Sequence, residues 1–142
     1  MIKVKFATWK KDRREIVKIR KTVFVKEQNV PEELDFDGLD ENCSHVLAFV
    51  ESQIPIGTAR MLPDGHIGRV AVLKKWRGLG VGKSLVKKLM EKAARLGLLE
   101  VYLNSQESAI GFYEKIGFRK KGKLFYEAGI PHLQMRKAIE KK

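Results

Sequence analysis

Val70-Ala71-Val72-Leu73-Lys74-Lys75-Trp76-Arg77-Gly78-Leu79-Gly80-Val81-Gly82-Lys83 reads as a β-like run, a glycine-rich turn and the opening of a helix. Beyond Gly82 the apolar residues Leu85, Val86, Leu89, Met90, Ala93 and Ala94 recur with the helical period, and Gly97 supplies the stop. Three glycines within five residues let a backbone approach a ligand closely. The unpaired amides and positive dipole end of the helix start then favour an anion, with Arg77 and Lys83 adding charge. The alternative is an ordinary strand-to-helix turn in which glycine only relieves steric strain. There is no Gly-x4-Gly-Lys-Ser/Thr loop, and the spacing of Gly78, Gly80 and Gly82 is not the dinucleotide fingerprint, so a nucleoside triphosphatase is disfavoured.

Working outward, residues 2 to 9 alternate, with Ile2, Val4 and Phe6 on the face expected to be buried. A helix is expected from Asp12, where Asp12 and Glu15 have the form of a helix start and Ile16, Val17, Ile19, Val23 and Phe24 follow at three-to-four spacing. Residues 27 to 44 read as a loop with a short helical turn. His45 to Val50, Ile54 to Met61 and Ile67 to Leu73 read as an antiparallel meander, with a turn at Pro63-Asp64-Gly65. Further on come a buried strand over Leu98 to Leu103, a helix over Glu107 to Ile116, and strands over Phe118 to Tyr126 and His132 to Ala138. The fold class is α+β: a mostly antiparallel sheet with helices on it, expected as one domain over residues 1–142.

The chain has 142 residues and a formal charge of +12, with 29 Lys and Arg against 17 Asp and Glu, which invites an anionic partner. A hydrophobic share of 44% is globular composition rather than that of a disordered chain. Cys43 is the single cysteine, so an intramolecular disulfide is impossible; no Cys/His cluster has zinc-site spacing, and no metal is expected. The longest apolar run is the five residues Val46 to Val50, and the N-terminus lacks the apolar core of a signal peptide, so a cytoplasmic protein without a membrane partner is expected. Six of the 17 acids, Glu32, Glu33, Asp35, Asp37, Asp40 and Glu41, fall within ten residues. They read either as an attraction for a cationic ligand or as a solvated acidic loop.

Val70-x-Val72 followed by Arg77-x-x-Gly80-x-Gly82 resembles the pyrophosphate-binding motif of the GNAT superfamily of coenzyme A-dependent N-acetyltransferases. Gln106-x-x-Ala109-x-x-Phe112-Tyr113-x-Lys115-x-Gly117-Phe118 resembles the family's later helix, with Gln106 in place of the usual Asn. Val23 to Pro31 and Ala128 to Met135 resemble the small ElaA-like branch. The resemblance covers nearly the whole chain.

It implies a GNAT-type fold, acetyl-CoA as co-substrate and transfer to a primary amine by direct attack in a ternary complex. It also implies that the strand before the glycine-rich loop splays at a bulge, its amides polarising the thioester carbonyl. The coenzyme contacts implied are Val70, Ala71, Val72, Arg77, Gly78, Leu79, Gly80, Val81, Gly82, Lys83, Asn104, Gln106, Ala109, Phe112 and Tyr113, with Lys74 and Lys75 either meeting the 3′-phosphate or merely solvated. Tyr113 corresponds to the general acid that protonates the departing thiolate. Glu27 is the first candidate for the base, ahead of His132 and His45, and Cys43 lacks an activating partner for covalent chemistry.

Other classes stay open at this point. A non-catalytic coenzyme A-binding module keeps the fold, and a basic nucleic-acid-binding domain accounts for the charge, although it lacks a recognition motif. Arg20-x3-Phe24 with Asp35, Asp37, Asp40 and Arg60 also resembles acyl-homoserine lactone synthases, which are longer and lack the Arg-x-x-Gly-x-Gly motif. The acceptor and the oligomeric state, a homodimer included, are left open.

Overall fold

The computed structural model describes residues 1–140. β1 (Lys3–Ala7) leads into α1 (Trp9–Arg20), which continues as a π-helical segment, Lys21–Glu27. A short α2 (Glu32–Asp35) and a 3₁₀ turn (Asp40–Asn42) precede β2 (Ser44–Val50), β3 (Ile54–Met61) and β4 (Ile67–Val72). Then come α3 (Val81–Arg95), β5 (Glu100–Gln106), α4 (Ile110–Ile116), β6 (Arg119–Glu127) and β7 (Ile130–Ala138). No described helix is long and apolar enough to cross a membrane.

The strands form two antiparallel sheets, β1-β2-β3-β4 and β5-β7-β6. The central strands are buried on both faces. Val46, Ala48 and Ile56 pack with Leu85, Val86 and Leu89 of α3, while Leu47 and Ala71 pack with Ile16 and Ile19 of α1 and Val23 beyond it. The continuous apolar run Val46–Val50 follows from this two-sided burial, which is complete at Val46, Leu47 and Ala48 and partial at Phe49 and Val50.

Four expectations shift in detail. Helix α1 begins at Trp9 rather than Asp12: Thr8 is the N-cap, its hydroxyl accepting from Lys11 N–H at 3.2 Å. Asp12 accepts from Thr8 N–H at 2.9 Å, so its carboxylate serves the helix start from inside the first turn. Phe6 lies at the margin of the core, 37% exposed, beneath the cations of Lys88, Lys92 and Arg95. Strand β5 starts and ends later than Leu98 to Leu103, because its half-buried positions Tyr102, Asn104 and Gln106 are polar and hide the continuation of the strand. The helix expected from Glu107 opens as a 3₁₀ turn, and α4 proper starts at Ile110.

Candidate active site

Among the described residues, one parallel bridge joins the two sheets: His66, just before β4, pairs with Tyr102 of β5, and Tyr102 N–H bonds Gly65 C=O at 3.0 Å. The Tyr102 hydroxyl donates to Asp64 Oδ2 at 2.5 Å, and its ring stacks on His66 with centroids 4.7 Å apart. Beyond this clasp the strands separate. The register of β4 on β3 slips by one residue between the pairs Thr58↔Ala71 and Arg60↔Gly68, and inside this bulge Arg69 adopts a φ of 50°. A left-handed arginine is strained, and its side chain is tied down accordingly. Its guanidinium donates to Asp35 O at 3.2 Å, Leu34 O at 3.1 Å and Asp37 Oδ2 at 3.2 Å. Leu73 N–H bonds Ile56 C=O on β3. Strand alternation therefore turns the Val72 amide the other way, into the split, while Val70 lies within the bulge beside Arg69.

The glycine-rich turn sits at the open end of this split. Gly78 (φ 79°) and Gly80 (φ 83°) occupy left-handed conformations with open space where a side chain would point. Gly80 is the N-cap of α3, with no side-chain cap and no acid in the first turn, so the first amides of a 15-residue helix are left for an anion. Lys83 is exposed beside them. A Cβ on Gly82 would meet Phe112 Cζ at 3.2 Å and Val72 Cγ2 at 3.9 Å. β4, the start of α3 and α4 thus converge on one point, and the donor set suits the phosphates of a coenzyme.

Arg77 is held at three atoms. Its Nε donates to Val72 O at 2.8 Å, and its Nη1 and Nη2 form a fork on Glu27 Oε2 and Oε1 at 2.5 and 2.8 Å. That hydrogen bonding holds the Glu27 carboxyl below the usual carboxylate range. Gln28, next in sequence, accepts from Gln106 Nε2 at 3.2 Å. The motifs do not flag Gln28 or Arg69. The positive φ of Arg69 has no signal in a single sequence, whereas Gln28 adjoins Glu27 in the ElaA-like segment.

Tyr113 packs edge-on against Phe112 and Phe118, with centroids 4.9 and 5.8 Å away, and burial pushes its phenol up to about 12. Ala109 is the N-cap of α4, and Asn104 pairs with Gln134 across β5 and β7. His132 lies opposite Gln106, with its Nδ1 2.7 Å from Ile130 O. His45 is away from the split: it is buried, its Nε2 lies 2.8 Å from Asp40 O, and burial lowers its pKa.

The acidic loop divides in two: Asp35, Asp37 and Asp40 are turned onto arginines, whereas Glu32, Glu33 and Glu41 are exposed as a solvated loop would have them. Asp35 and Asp40 are buried, and with Asp37 they hold Arg20, Arg60 and Arg69. Arg20 lies between Asp35 and Asp40 with its guanidinium over the Phe36 ring at 4.7 Å. Glu32 pairs with Lys21, while Glu33 and Glu41 carry no ion pair among the described residues. Ligand atoms of Asp40, Cys43 and His45 lie within 4.8 Å of one another. Asp40 Oδ1 already accepts from Arg20 and Arg60, and two guanidinium groups there oppose a cation.

Residues 11–139 match the sequence model of the acetyltransferase (GNAT) domain. The chain is 41% identical over 144 residues to the uncharacterized protein YyaT of Bacillus subtilis, covering 97% of each chain. It is 32% identical over 132 residues to the protein ElaA of Escherichia coli, covering 87% of this chain and 86% of ElaA. The ElaA crystal structure superposes with a TM-score of 0.83 at 29% identity, over 96% of this chain and 99% of ElaA. That of an acyl-CoA N-acyltransferase from Pseudomonas aeruginosa gives 0.85 at 29% identity, over 97% and 100% of the two chains. A split antiparallel architecture with an open helix start, a family match over nearly the whole length and the ElaA relationship give one result: the chain is an acyltransferase and belongs to the GNAT family of acetyltransferases, in its ElaA-like branch.

Proposed function

We propose that the protein transfers an acetyl group from acetyl-CoA to a primary amine by direct attack while both substrates are bound. The observation that carries this reading is the split between β4 and β5, with the Val72 amide facing into it, Val70 in the bulge of β4, and the uncapped start of α3 at its mouth. In this reading the α3 amides from Gly80 onward and Lys83 hold the pyrophosphate, and the pantetheine arm lies in the split.

The Val72 amide then meets the thioester oxygen. It stabilises the negative charge that grows there as the amine attacks, a contribution of about 10²- to 10³-fold per donor. The C–N bond forms as the C–S bond breaks, and the leaving thiolate takes a proton from Tyr113. A phenol near 12 stays protonated at neutral pH, and burial raises the thiolate's proton affinity in the same apolar surroundings, which narrows the gap between donor and acceptor.

Thiol release measured with acetyl-CoA and a panel of primary amines tests the reading. Amine-dependent release supports it. Coenzyme A binding without such release reduces the protein to a binding module.

A further inference from the structure

Glu27 and Gln28 are consecutive residues that hold opposite lips of the split. Glu27 pairs with Arg77 just past β4, and Gln28 accepts from Gln106 at the end of β5. They sit at the end of the π-helical segment, a geometry frequent at functional sites. Arg77 Nε is fixed on the Val72 carbonyl, so Nη1 and Nη2 are its atoms left for an incoming anion, and both face Glu27.

We propose that the coenzyme's phosphates take Arg77 over from Glu27 on binding, so that Glu27 becomes a proton acceptor only in the coenzyme-loaded protein. This rests on the acetyltransferase reading above. A guanidinium has five donor hydrogens, and three are in use here. A phosphate on either of the remaining two, which point to opposite edges of the guanidinium, would lie across one guanidinium from the Glu27 carboxylate at about 6 Å, a like-charge arrangement that weakens binding on the order of tenfold. The conflict is relieved when Glu27 leaves Arg77 or takes a proton, and both routes raise its affinity for protons. Lys74 is the second cation acting on Glu27, Lys26 adjoins it on its own segment, and Gln28 and Gln106 beside it are neutral. The balance of the step is then complete. The acceptor ammonium gives one proton to Glu27, its lone pair forms the C–N bond, the C–S bond breaks and the thiolate takes the Tyr113 proton; the second proton of the acylated nitrogen returns through solvent to the Tyr113 phenolate, and Glu27 releases its proton to solvent.

Coenzyme A titrated calorimetrically into the wild type and Glu27→Gln near pH 5, in two buffers of different ionisation enthalpy, reads the protons taken up on binding. The difference between the proteins cancels the coenzyme's own phosphate titration. The expected result is greater uptake by the wild type and about three- to tenfold tighter binding by Glu27→Gln, with Glu27→Ala behaving alike. Equal uptake, or weaker binding by both variants, overturns the proposal, because Glu27 then only props Arg77. Thiol release run alongside separates the two readings. A wild type that turns over with equal uptake retains the transferase and loses the exchange, whereas a persistent uptake difference with no amine-dependent release does the reverse.

Discussion

The Phe112 ring lies where a side chain on Gly82 would go, 3.2 Å from the position of its Cβ, and so joins the glycine-rich turn to the later helix. Gly82→Ala therefore has to displace a ring that is 39% exposed and able to move. The expected stability cost is below about 1 kcal/mol, with a clear loss of coenzyme A affinity. Gly80→Ala meets open space but must hold a left-handed φ, so its cost of about 1–2 kcal/mol is conformational. Urea unfolding and coenzyme titration of both variants check the contrast.

Tyr113→Phe is expected to slow transfer by about 100-fold while leaving coenzyme affinity nearly unchanged. The acid works in its protonated form, and burial raises its pKa to about 12, so wild-type activity should show no alkaline loss from this group up to about pH 10. Equal rates in the variant, or an alkaline limb near pH 9 that disappears with the hydroxyl, would remove Tyr113 from the role.

Arg20 is 1% exposed between two buried carboxylates. Arg20→Met leaves both without their shared partner, for an expected loss of about 3–5 kcal/mol in chemical unfolding. Asp37 provides the pH signature. The Arg60 guanidinium beside it holds its carboxyl well below the usual carboxylate range. Its contribution is therefore present in full above its unfolded value of about 3.9 and is lost as pH falls below that toward the depressed folded value. Asp37→Asn should flatten this acid-side decline in stability between about pH 4 and pH 2; an unchanged slope contradicts the assignment.

Much of this fold is legible in the sequence because local pattern and tertiary burial agree. The α3 stripe from Leu85 to Ala93 is the stripe that packs on β2 and β3, and the chain reversals fall at glycines such as Gly97 and Gly117. Half of the acidic loop is misread for a physical reason: six acids in a row of ten signal solvent unless their cationic partners are known. Here those partners, Arg20, Arg60 and Arg69, come from α1, β3 and a bulge, 15 to 35 residues away. The Glu27–Arg77 pair is hidden in the same way, since fifty residues separate two side chains that each look solvated. Pattern along a chain reports periodic burial, whereas a charge pair closed by topology leaves no period.

The central claim is acetyl transfer at the split between β4 and β5. It is tested most directly by incubating the protein with acetyl-CoA and a mixture of small amines and peptides, then weighing the products by mass spectrometry while counting released thiol. The predicted result is an amine product heavier by one acetyl group, formed with one thiol released per acetyl and suppressed in Tyr113→Phe. Bound coenzyme with no acetylated product, or release that no amine accelerates, would contradict it.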